Sequence, residues 1–413
     1  MQVYKFGGIS VQNADAVKNI SEIIRSNNGS TVVVISAMGK MTNKFEQLVN
    51  LYTSKAEFTA TVTEIKQYHF NIIDELFTNK QNVYSKANSL FNELENKLNE
   101  SVSSNLDYEY DKLIVFGELL STTIVSEYLN KLSINNTWID IRKNIITDGF
   151  YRDGRVFWDE TQANLESNFN DKKIVITQGF IASDKQGNSV TLGREGSDFT
   201  ASIIAYCLNA ESVTIWKDVP GILTADPRIF TDTVKIDKLN YKETVELAYY
   251  GAQVIHPKTI KPLQNKKIPL FVKSFKDFTA SGTVINSDRI KISSPIIILK
   301  DNQVLISLSP KDFSFIDETN ISKIYTALAE LKIKVNLMEN SAVSFSIVTD
   351  NSNKIELFID KLKQYYSIRY NTNLELLTIR HYNKNKVAEL LESKEVLVEQ
   401  KTRFTARYVV KNN

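Results

Sequence analysis

The chain has 413 residues, a formal net charge of +2, and hydrophobic and charged fractions of 42% and 24%. These values are typical of a globular protein of roughly two or three domains, and they give no electrostatic case for a nucleic-acid or membrane-surface partner. A single cysteine, Cys207, excludes an intrachain disulfide. The sequence has no apolar run of about 18 residues and no room for a signal peptide before the first predicted strand. We therefore expect a cytoplasmic protein.

The first predicted element is a strand that leads directly into a lysine and two glycines. Residues 3–11 read V-Y-K-F-G-G-I-S-V, and a helical pattern of apolar residues follows. This arrangement places Lys5 and backbone N–H groups where a phosphate could bind against a helix N-terminus. Gly7 and Gly8 lack a Cβ atom and would let the backbone approach an anion closely. Many α/β proteins use such turns only for geometry, so this motif alone leaves both interpretations open.

Apolar, β-branched runs alternate with helical segments over the first two thirds of the chain. The run T-V-V-V-I at 31–35 is typical of a strand buried on both faces of a parallel sheet, and residues 44–112 have a helical pattern. Further strands are predicted at 113–116, 173–177, 212–216 and 270–273. The fold class predicted is therefore α/β, with a mostly parallel sheet sandwiched by helices and with polar loops collected at the carboxyl ends of the strands.

The composition changes near 282–295, where an edge strand and a linker are predicted. The elements predicted beyond it are strand 304–308, helix 321–331, strand 334–338, strand 342–348 and helix 354–364, followed by strand, short helix, strand and strand. This order describes a small ferredoxin-like α+β region. We therefore predict two domains, 1–288 and 296–413, the second containing one full module and a remnant.

The glycine-rich loop at 191–198, which reads T-L-G-R-E-G-S-D, carries candidate substrate-binding residues. Arg194 could form a bidentate fork with a substrate carboxylate, or it could be a surface ion-pair partner. Ser197 or Asp198 could cap the helix that begins there. The loop is therefore a candidate site whose role the pattern alone does not decide.

The segment at 216–228, W-K-D-V-P-G-I-L-T-A-D-P-R, predicts a nucleotide-binding lip. Asp218 would bind a ribose hydroxyl and Arg228 a phosphate, although the segment could also be only a well-formed loop. Further along, His256 precedes a proline and has no paired Cys or His at metal-site spacing, so we predict a structural role for it and assign no metal ligands.

The chain resembles the aspartokinase family of the amino-acid kinase superfamily. The motifs that carry this resemblance are K-F-G-G-I-S-V at 5–11, I-S-A-M-G-K-M-T-N at 35–43, F-G-E-L-L-S-T at 116–122, T-L-G-R-E-G-S-D at 191–198, the whole of 216–228, and E-L-A-Y-Y-G-A-Q-V-I-H-P-K-T at 246–259. They occur in collinear order over about residues 1–286, while the tail resembles the family's ACT regulatory region less closely.

The resemblance implies transfer of the ATP γ-phosphate to the β-carboxylate of L-aspartate, with ATP and Mg²⁺ as cofactors, as the first step toward lysine, threonine and methionine. It implies that Lys5 and Asp198 are catalytic, with Asp198 organising Lys5. The implied substrate-binding residues are Thr42, Glu118 for the ammonium, Arg194 for the α-carboxylate, and Ser197. The implied nucleotide-binding residues are Lys5, Phe6, Gly7, Gly8, Lys217, Asp218, Leu223, Arg228, Gln253 and Val254.

The chain departs from the family pattern at several of these positions. Ile9 replaces a threonine, Glu195-Gly196 replaces a Gly-Gly pair, Lys217 replaces a threonine, Leu223 replaces a tyrosine, and Gln253 replaces a lysine. The last change removes one phosphate-binding cation, and we predict that Lys217 or Lys258 replaces it.

Charge considerations are consistent with this chemistry, because an aspartate β-carboxylate, with a pKa of about 3.9, is already ionised at neutral pH and needs no general base. Catalysis would then rest on positioning and charge neutralisation. Two alternatives stay open, a kinase for another amino acid such as glutamate and a catalytically inactive amino-acid sensor. The expected partners are L-aspartate, ATP, a possible lysine or threonine effector at the ACT-like region, and further copies of the chain in a homodimer or higher oligomer.

Overall fold

The computed structural model describes residues 1–252 and 255–412. The strands are β1 (Gln2–Phe6), β2 (Thr31–Ile35), β3 (Thr137–Ile139), β4 (Ile146–Thr147), β5 (Ile174–Gln178), β6 (Ile181–Asp184), β7 (Ser189–Thr191), β8 (Ser212–Lys217), β9 (Ile222–Leu223), β10 (Lys235–Ile236), β11 (Lys238–Asn240), β12 (Leu270–Ser274), β13 (Thr283–Asn286), β14 (Ile296–Pro310), β15 (Val335–Asn340), β16 (Phe345–Asp350), β17 (Tyr366–Arg380), β18 (Lys394–Lys401) and β19 (Thr405–Asn412).

The α-helices are α1 (Ala14–Arg25), α2 (Met41–Thr53), α3 (Thr59–Leu76), α4 (Gln81–Leu98), α5 (Leu106–Ile114), α6 (Phe116–Lys131), α7 (Trp158–Phe169), α8 (Gly196–Cys207), α9 (Tyr241–Tyr250), α10 (Pro257–Lys266), α11 (Glu318–Glu330), α12 (Lys354–Leu362) and α13 (Lys384–Leu391). Short 3-10 helices occupy Gly8–Val11 and Ile141–Lys143. The chain forms two compact units, one from residues 1–222, 235–245 and 255–290, the other from 223–234, 246–252 and 291–412.

The first unit is built on a mostly parallel sheet with the strand order β11-β13-β12-β8-β1-β2-β5-β3. Strand β1 lies at its centre, where Lys5 pairs in register with Val34 of β2 and with Ile215 of β8, both in parallel. Every residue of β2 is buried, as its β-branched run predicts for a strand covered on both faces. The predicted α/β class is therefore confirmed for this part of the chain.

The segment 113–116 was predicted as a strand, and this prediction is wrong. Helix α5 ends at Ile114 and helix α6 begins at Phe116. Nearly all of α6 is buried, so its apolar residues surround the helix and produce no 3.6-residue period. A four-residue apolar run cannot distinguish such a buried helix from a buried strand.

The second unit contains an antiparallel sheet with the order β15-β16-β14-β17-β19-β18. The long strands β14 and β17 pair along almost their whole length, with a bulge between Lys300 and Gln303. Helices α11 and α12 bury Ile324 and Phe358 in one core cluster together with Ile306 of β14. The predicted order of short strands and helices, and the predicted smaller α+β region, are confirmed. Its division into one full module and a remnant, like the boundaries 1–288 and 296–413, stays a prediction.

Candidate active site

A cavity of about 500 Å³ lies in the first unit, where the loops that follow β1, β2, β5 and β7 meet the N-terminus of α8. This is the sheet edge at which ligands collect in open α/β folds. The residues that line it are Lys5, Gly8, Ser36, Ala37, Gly39, Thr42, Glu46, Tyr110, Glu118, Arg152, Phe180, Thr191, Gly193, Arg194, Glu195, Gly196, Ser197 and Asp198. The predicted catalytic pair, Lys5 and Asp198, and the four predicted substrate-binding residues, Thr42, Glu118, Arg194 and Ser197, thus share one space.

Lys5 and Asp198 form an ion pair at the base of this cavity. The Lys5 Nζ lies 2.7 Å from Asp198 Oδ1, and both side chains are largely buried. Burial opposes ionisation of Asp198, but the charges of Lys5 and Lys217 outweigh it and hold the pKa of this carboxyl below its usual range. The pair therefore presents an oriented, charged ammonium at the end of β1.

The two glycines that follow Lys5 have different structural roles. A Cβ atom on Gly7 would lie 3.5 Å from Lys5 Nζ, which is an ordinary contact. A Cβ atom on Gly8 would lie only 2.5 Å from the carbonyl oxygen of Gly39, and the Gly39 N–H donates to the Gly8 carbonyl at 2.9 Å. Gly8 is thus required for the close approach of two cavity loops.

Glu118 is a fully buried carboxylate supplied by the first turn of α6. Its Oε1 accepts a weak hydrogen bond from the Ala37 N–H at 3.3 Å, and its Oε2 has no hydrogen-bond partner among the described residues. Burial raises the pKa of Glu118 to about 8, although the Ala37 N–H and the charge of Lys5 lower it in part. A buried acid with an unsatisfied oxygen beside a cavity is suited to bind an ammonium group.

Arg194 stands at the exposed side of the same cavity, and its guanidinium makes no hydrogen bond or ion pair with any described residue. It is therefore available as a bidentate fork for a carboxylate. Ser197 accepts a hydrogen bond from Ser36 at 3.0 Å, and Thr42 reaches the cavity from the first turn of α2. The arrangement offers complementary charges for the two ionised groups of a free amino acid.

Neither Ser197 nor Asp198 is the N-cap of helix α8, although the sequence allowed either residue to cap it. Both residues lie inside its first turn, and the N-cap residue is Glu195, whose φ is 54° and whose side chain does not cap the helix. A left-handed conformation costs a non-glycine residue about 1–2 kcal/mol. Asp198 instead pairs with Lys5 and contributes negative charge at the positive end of the helix dipole.

Most of the described residues that the resemblance implies for nucleotide binding do not line this cavity. Among the described residues, the cavity lining includes Lys5 and Gly8 but not the others, which are Phe6, Gly7, Lys217, Asp218, Leu223, Arg228 and Lys258. Phe6 is buried and stacked on Trp216, so its role in the structure is packing. Gln253 and Val254 lie outside the described residues.

Arg228 and Lys258, two charged members of that set, have partners of their own. Arg228, on the second unit, forms a fork with Asp226, and its Nη2 lies 2.5 Å from Asp226 Oδ2. Lys258 Nζ donates to Asp153 at 2.6 Å and to the Leu192 carbonyl at 3.0 Å. His256 accepts from the Lys258 N–H at its Nδ1 and so caps α10, in agreement with the structural role predicted for it.

Asp111 is the most informative residue that the sequence analysis missed. It is fully buried, and its carboxylate accepts hydrogen bonds from the Thr191 N–H at 2.8 Å, the Thr191 hydroxyl at 2.7 Å and the Arg152 N–H at 2.8 Å. Burial raises its pKa to about 6 although these hydrogen bonds lower it in part. The sequence offers no specific signal for it, because Asp107, Glu109 and Lys112 make the same segment charged and only the partners of a buried carboxylate distinguish it.

The described residues contain no helix long and apolar enough to cross a membrane. They also contain no cluster of three or more His, Cys, Asp or Glu side chains that could hold a metal ion by themselves.

Comparison with known proteins agrees with this geometry. The model of the "Amino acid kinase family" matches residues 1–274. The lysine-sensitive aspartokinase 3 of Escherichia coli is 33% identical over 85% of this chain and 78% of its own length. The chloroplastic aspartokinase 1 of Arabidopsis thaliana is 31% identical over 85% of this chain and 63% of its own length.

Solved structures extend the similarity to the second unit. Escherichia coli aspartokinase III, in complex with lysine and aspartate and in complex with aspartate and ADP, superimposes with a TM-score of 0.82 at 26% identity, covering 99% of this chain and 96% of that one. The aspartate kinase of Clostridium acetobutylicum has the same fold, with a TM-score of 0.82 at 24% identity, covering 100% of this chain and 96% of that one. The chain therefore belongs to the amino acid kinase family, and within that family it is one of the aspartokinases.

Proposed function

We propose that this protein transfers the γ-phosphoryl group of ATP to the β-carboxylate of L-aspartate, giving 4-phospho-L-aspartate and ADP. The observation that carries the proposal is the single cavity lined by the Lys5–Asp198 pair, the buried Glu118 and the unpartnered Arg194. Arg194 would bind the α-carboxylate and Glu118 the ammonium, which leaves the β-carboxylate directed toward Lys5. Thr42 and Ser197 would complete the substrate contacts.

The chemistry follows from the charges of the two reactants. An oxygen of the ionised β-carboxylate attacks the γ-phosphorus, and the bond from that phosphorus to the β–γ bridging oxygen breaks as ADP leaves. Because both reactants are anions, their repulsion is the main obstacle, and Lys5 would reduce it at the position where the charges meet. Asp198 would keep Lys5 in place through their 2.7 Å ion pair.

Magnesium fits this site as a companion of the nucleotide. Mg²⁺ is commonly bound by one or two carboxylates together with substrate phosphates and water, so it does not require the three-residue cluster that the described residues lack. Asp198 is the carboxylate that would help to hold it. When bound, the ion would withdraw negative charge from the phosphates.

The decisive experiment measures ADP release from Mg-ATP with aspartate, with glutamate and with no amino acid. We expect turnover with aspartate well above both other reactions. Turnover with glutamate alone would identify a different amino-acid kinase, and no turnover with either would favour an inactive amino-acid sensor.

We propose further that the second unit binds a feedback effector, lysine or threonine, in a homodimer or higher oligomer. Support comes from the similarity to the E. coli enzyme solved with lysine, which covers 99% of this chain and therefore includes the antiparallel sheet. Repeating the ADP-release assay with each of the two amino acids tests the effector, and loss of activity with one of them is the expected result.

Lys217 is the better candidate for the cation that Gln253 does not supply. The charge of Lys217 acts on Asp198, which lines the cavity. The Lys258 Nζ donates to Asp153 and to the Leu192 carbonyl. We expect Lys217→Met to raise the KM for ATP by about tenfold or more, the value of one charge-assisted hydrogen bond, and Lys258→Met to change it by less than about threefold. The measurement is ATP titration at saturating aspartate, and full ATP affinity and turnover in both variants would reject a role for either lysine.

The pKa of Glu118 predicts a pH dependence of aspartate binding. With a pKa of about 8 in the unliganded cavity, roughly one molecule in ten carries ionised Glu118 at neutral pH, and only this form accepts the substrate ammonium. The other charged groups that line the cavity are Lys5, Glu46, Arg152, Arg194, Glu195 and Asp198. We therefore expect kcat/KM for aspartate to rise from pH 6 to 8 and to level off only at about pH 9, one unit above the pKa of Glu118.

This profile is measured at saturating Mg-ATP, and the KM for ATP over the same pH range provides the control. A flat kcat/KM for aspartate between pH 6 and 8 would show that Glu118 is already ionised without substrate.

A further inference from the structure

The loop that carries Arg194 is attached to the N-terminal end of α10 on both sides of that arginine. Before it, the Leu192 carbonyl accepts a hydrogen bond from Lys258 Nζ at 3.0 Å. After it, the Glu195 Oε2 accepts one from the His256 N–H at 2.9 Å. Arg194 therefore lies between two points at which its own loop is fixed to a neighbouring helix.

The backbone at Glu195 needs such a contact to be maintained. Its φ of 54° lies in the left-handed region, which glycine adopts readily and glutamate does not. A glycine would fit the turn better, so the glutamate is disfavoured by its backbone at a position where its side chain makes a specific hydrogen bond. Strained backbone of this kind is held by surrounding contacts and often occurs at functional sites.

The N-terminal end of α10 is a firm attachment point. His256, which donates to Glu195, has its ring held by the Lys258 N–H at 3.1 Å. At the other end of α10, Lys266 Nζ donates to the Tyr206 carbonyl and to Asn209 Oδ1, both at 2.7 Å, which joins α10 to the end of α8. The far end of the Arg194 loop is held by Asp111 through Thr191.

We infer that Glu195 is a positioning residue, which fixes the backbone that carries Arg194 by binding the His256 N–H, and so places the guanidinium within reach of the substrate carboxylate. This inference rests on the proposed aspartate kinase function. A backbone that is already fixed loses less conformational freedom when its side chain binds a ligand, so removal of the contact should weaken substrate binding without changing the phosphoryl-transfer step. The effect should therefore appear in the KM for aspartate and not in kcat.

Three variants separate this role from charge and from stability. Glu195→Gln keeps an oxygen that accepts from the His256 N–H, Glu195→Ala removes the acceptor, and Glu195→Gly removes the acceptor while relieving the strained backbone. We expect the glutamine variant to stay within about twofold of the wild type. The alanine and glycine variants should raise the KM for aspartate about five- to twentyfold, with kcat and the KM for ATP within about threefold. Glu93→Ala, on an exposed position of α4, is the matched control.

A thermal melt separates a positioning role from a merely structural one. If Glu195 served stability alone, relief of the strained backbone in the glycine variant would restore the KM for aspartate together with the melting temperature. The glycine variant should melt at or above the temperature of the alanine variant while its KM for aspartate stays raised. An unchanged KM in Glu195→Ala, equal losses of aspartate affinity in Glu195→Gln and Glu195→Ala, or a loss confined to kcat would each overturn the inference.

Amide hydrogen exchange of residues 192–196 tests the same contact without any assay of activity. We expect faster exchange in the alanine and glycine variants than in the wild type and in Glu195→Gln. If the wild type itself fails to use aspartate, the proposed function fails, and the exchange data still decide whether Glu195 holds the loop.

Discussion

Replacement of Lys5 by methionine is expected to lower kcat by about 10³-fold. Methionine has nearly the same length and leaves the strand pairing of β1 unchanged, but it removes the ammonium that forms the 2.7 Å ion pair with Asp198. The repulsion between the β-carboxylate and the γ-phosphate would then be met by Mg²⁺, Lys217 and backbone N–H groups, without the ammonium at the end of β1. Turnover of Mg-ATP with saturating aspartate measures the effect.

Two controls make the Lys5 result interpretable. Lys18→Met, on an exposed position of α1 that pairs with Asp15 three residues earlier, should keep full activity. Circular dichroism should show the Lys5→Met variant folded, because Asp198, left without its partner, can bind a proton at the cost of a higher pKa. A kcat within tenfold of the wild type would mean that Lys5 is a structural ion-pair partner and not the group that neutralises the transferred phosphoryl.

Replacement of Glu118 by glutamine is expected to raise the KM for aspartate by about 10²-fold. Glutamine has the shape of glutamate, but it presents to the substrate ammonium a neutral oxygen and an NH₂ group in place of a carboxylate. A hydrogen bond to a charged group contributes about 1.5–3 kcal/mol, and in this buried position water cannot replace it. The measurement is aspartate titration at saturating Mg-ATP.

The matched control for Glu118 is a second carboxylate of the same cavity. Glu46 accepts a hydrogen bond from the Tyr110 hydroxyl at 3.0 Å, so its charge already has a partner. Glu46→Gln should change the KM for aspartate by only a few-fold. The ammonium assignment would be wrong if Glu118→Gln left this KM unchanged, or if the two variants lost affinity equally. Glu118→Gln should also flatten the rise of kcat/KM for aspartate between pH 6 and 8, because the glutamine side chain cannot titrate.

Much of the site could be predicted from the sequence because a parallel sheet brings distant segments to one edge. Lys5 ends a central strand, Ser36 follows the next one, and the loop with Arg194 and Asp198 opens a helix, so polar residues at these strand ends were expected to converge. The cavity confirms that convergence over about 190 positions. Chain order predicted where polar loops meet, while the substrate roles of Thr42, Glu118 and Arg194 came from the family resemblance.

Other features could not be predicted, and each depends on contacts between segments that are far apart in the chain. The segment 113–116 has the composition of a buried strand and is helical because α5 and α6 are enclosed by the core. Asp111 looks like one more polar residue on a helix until Thr191 is brought beside it. Likewise, Glu195 reads as an ordinary loop residue until its φ and its bond to His256 are known.

The amino-acid sequence alone determined which chemical groups this protein brings to a substrate and at which strand ends they lie, because residue type and two-residue or 3.6-residue periodicity are local properties. Only the tertiary structure decided how those groups are charged and held. It buried Glu118 deeply enough to raise its pKa to about 8, it paired Asp198 with Lys5, and it left Arg194 without a partner. Burial and distance are properties of the folded chain, and they set the electrostatic energy of each of these groups.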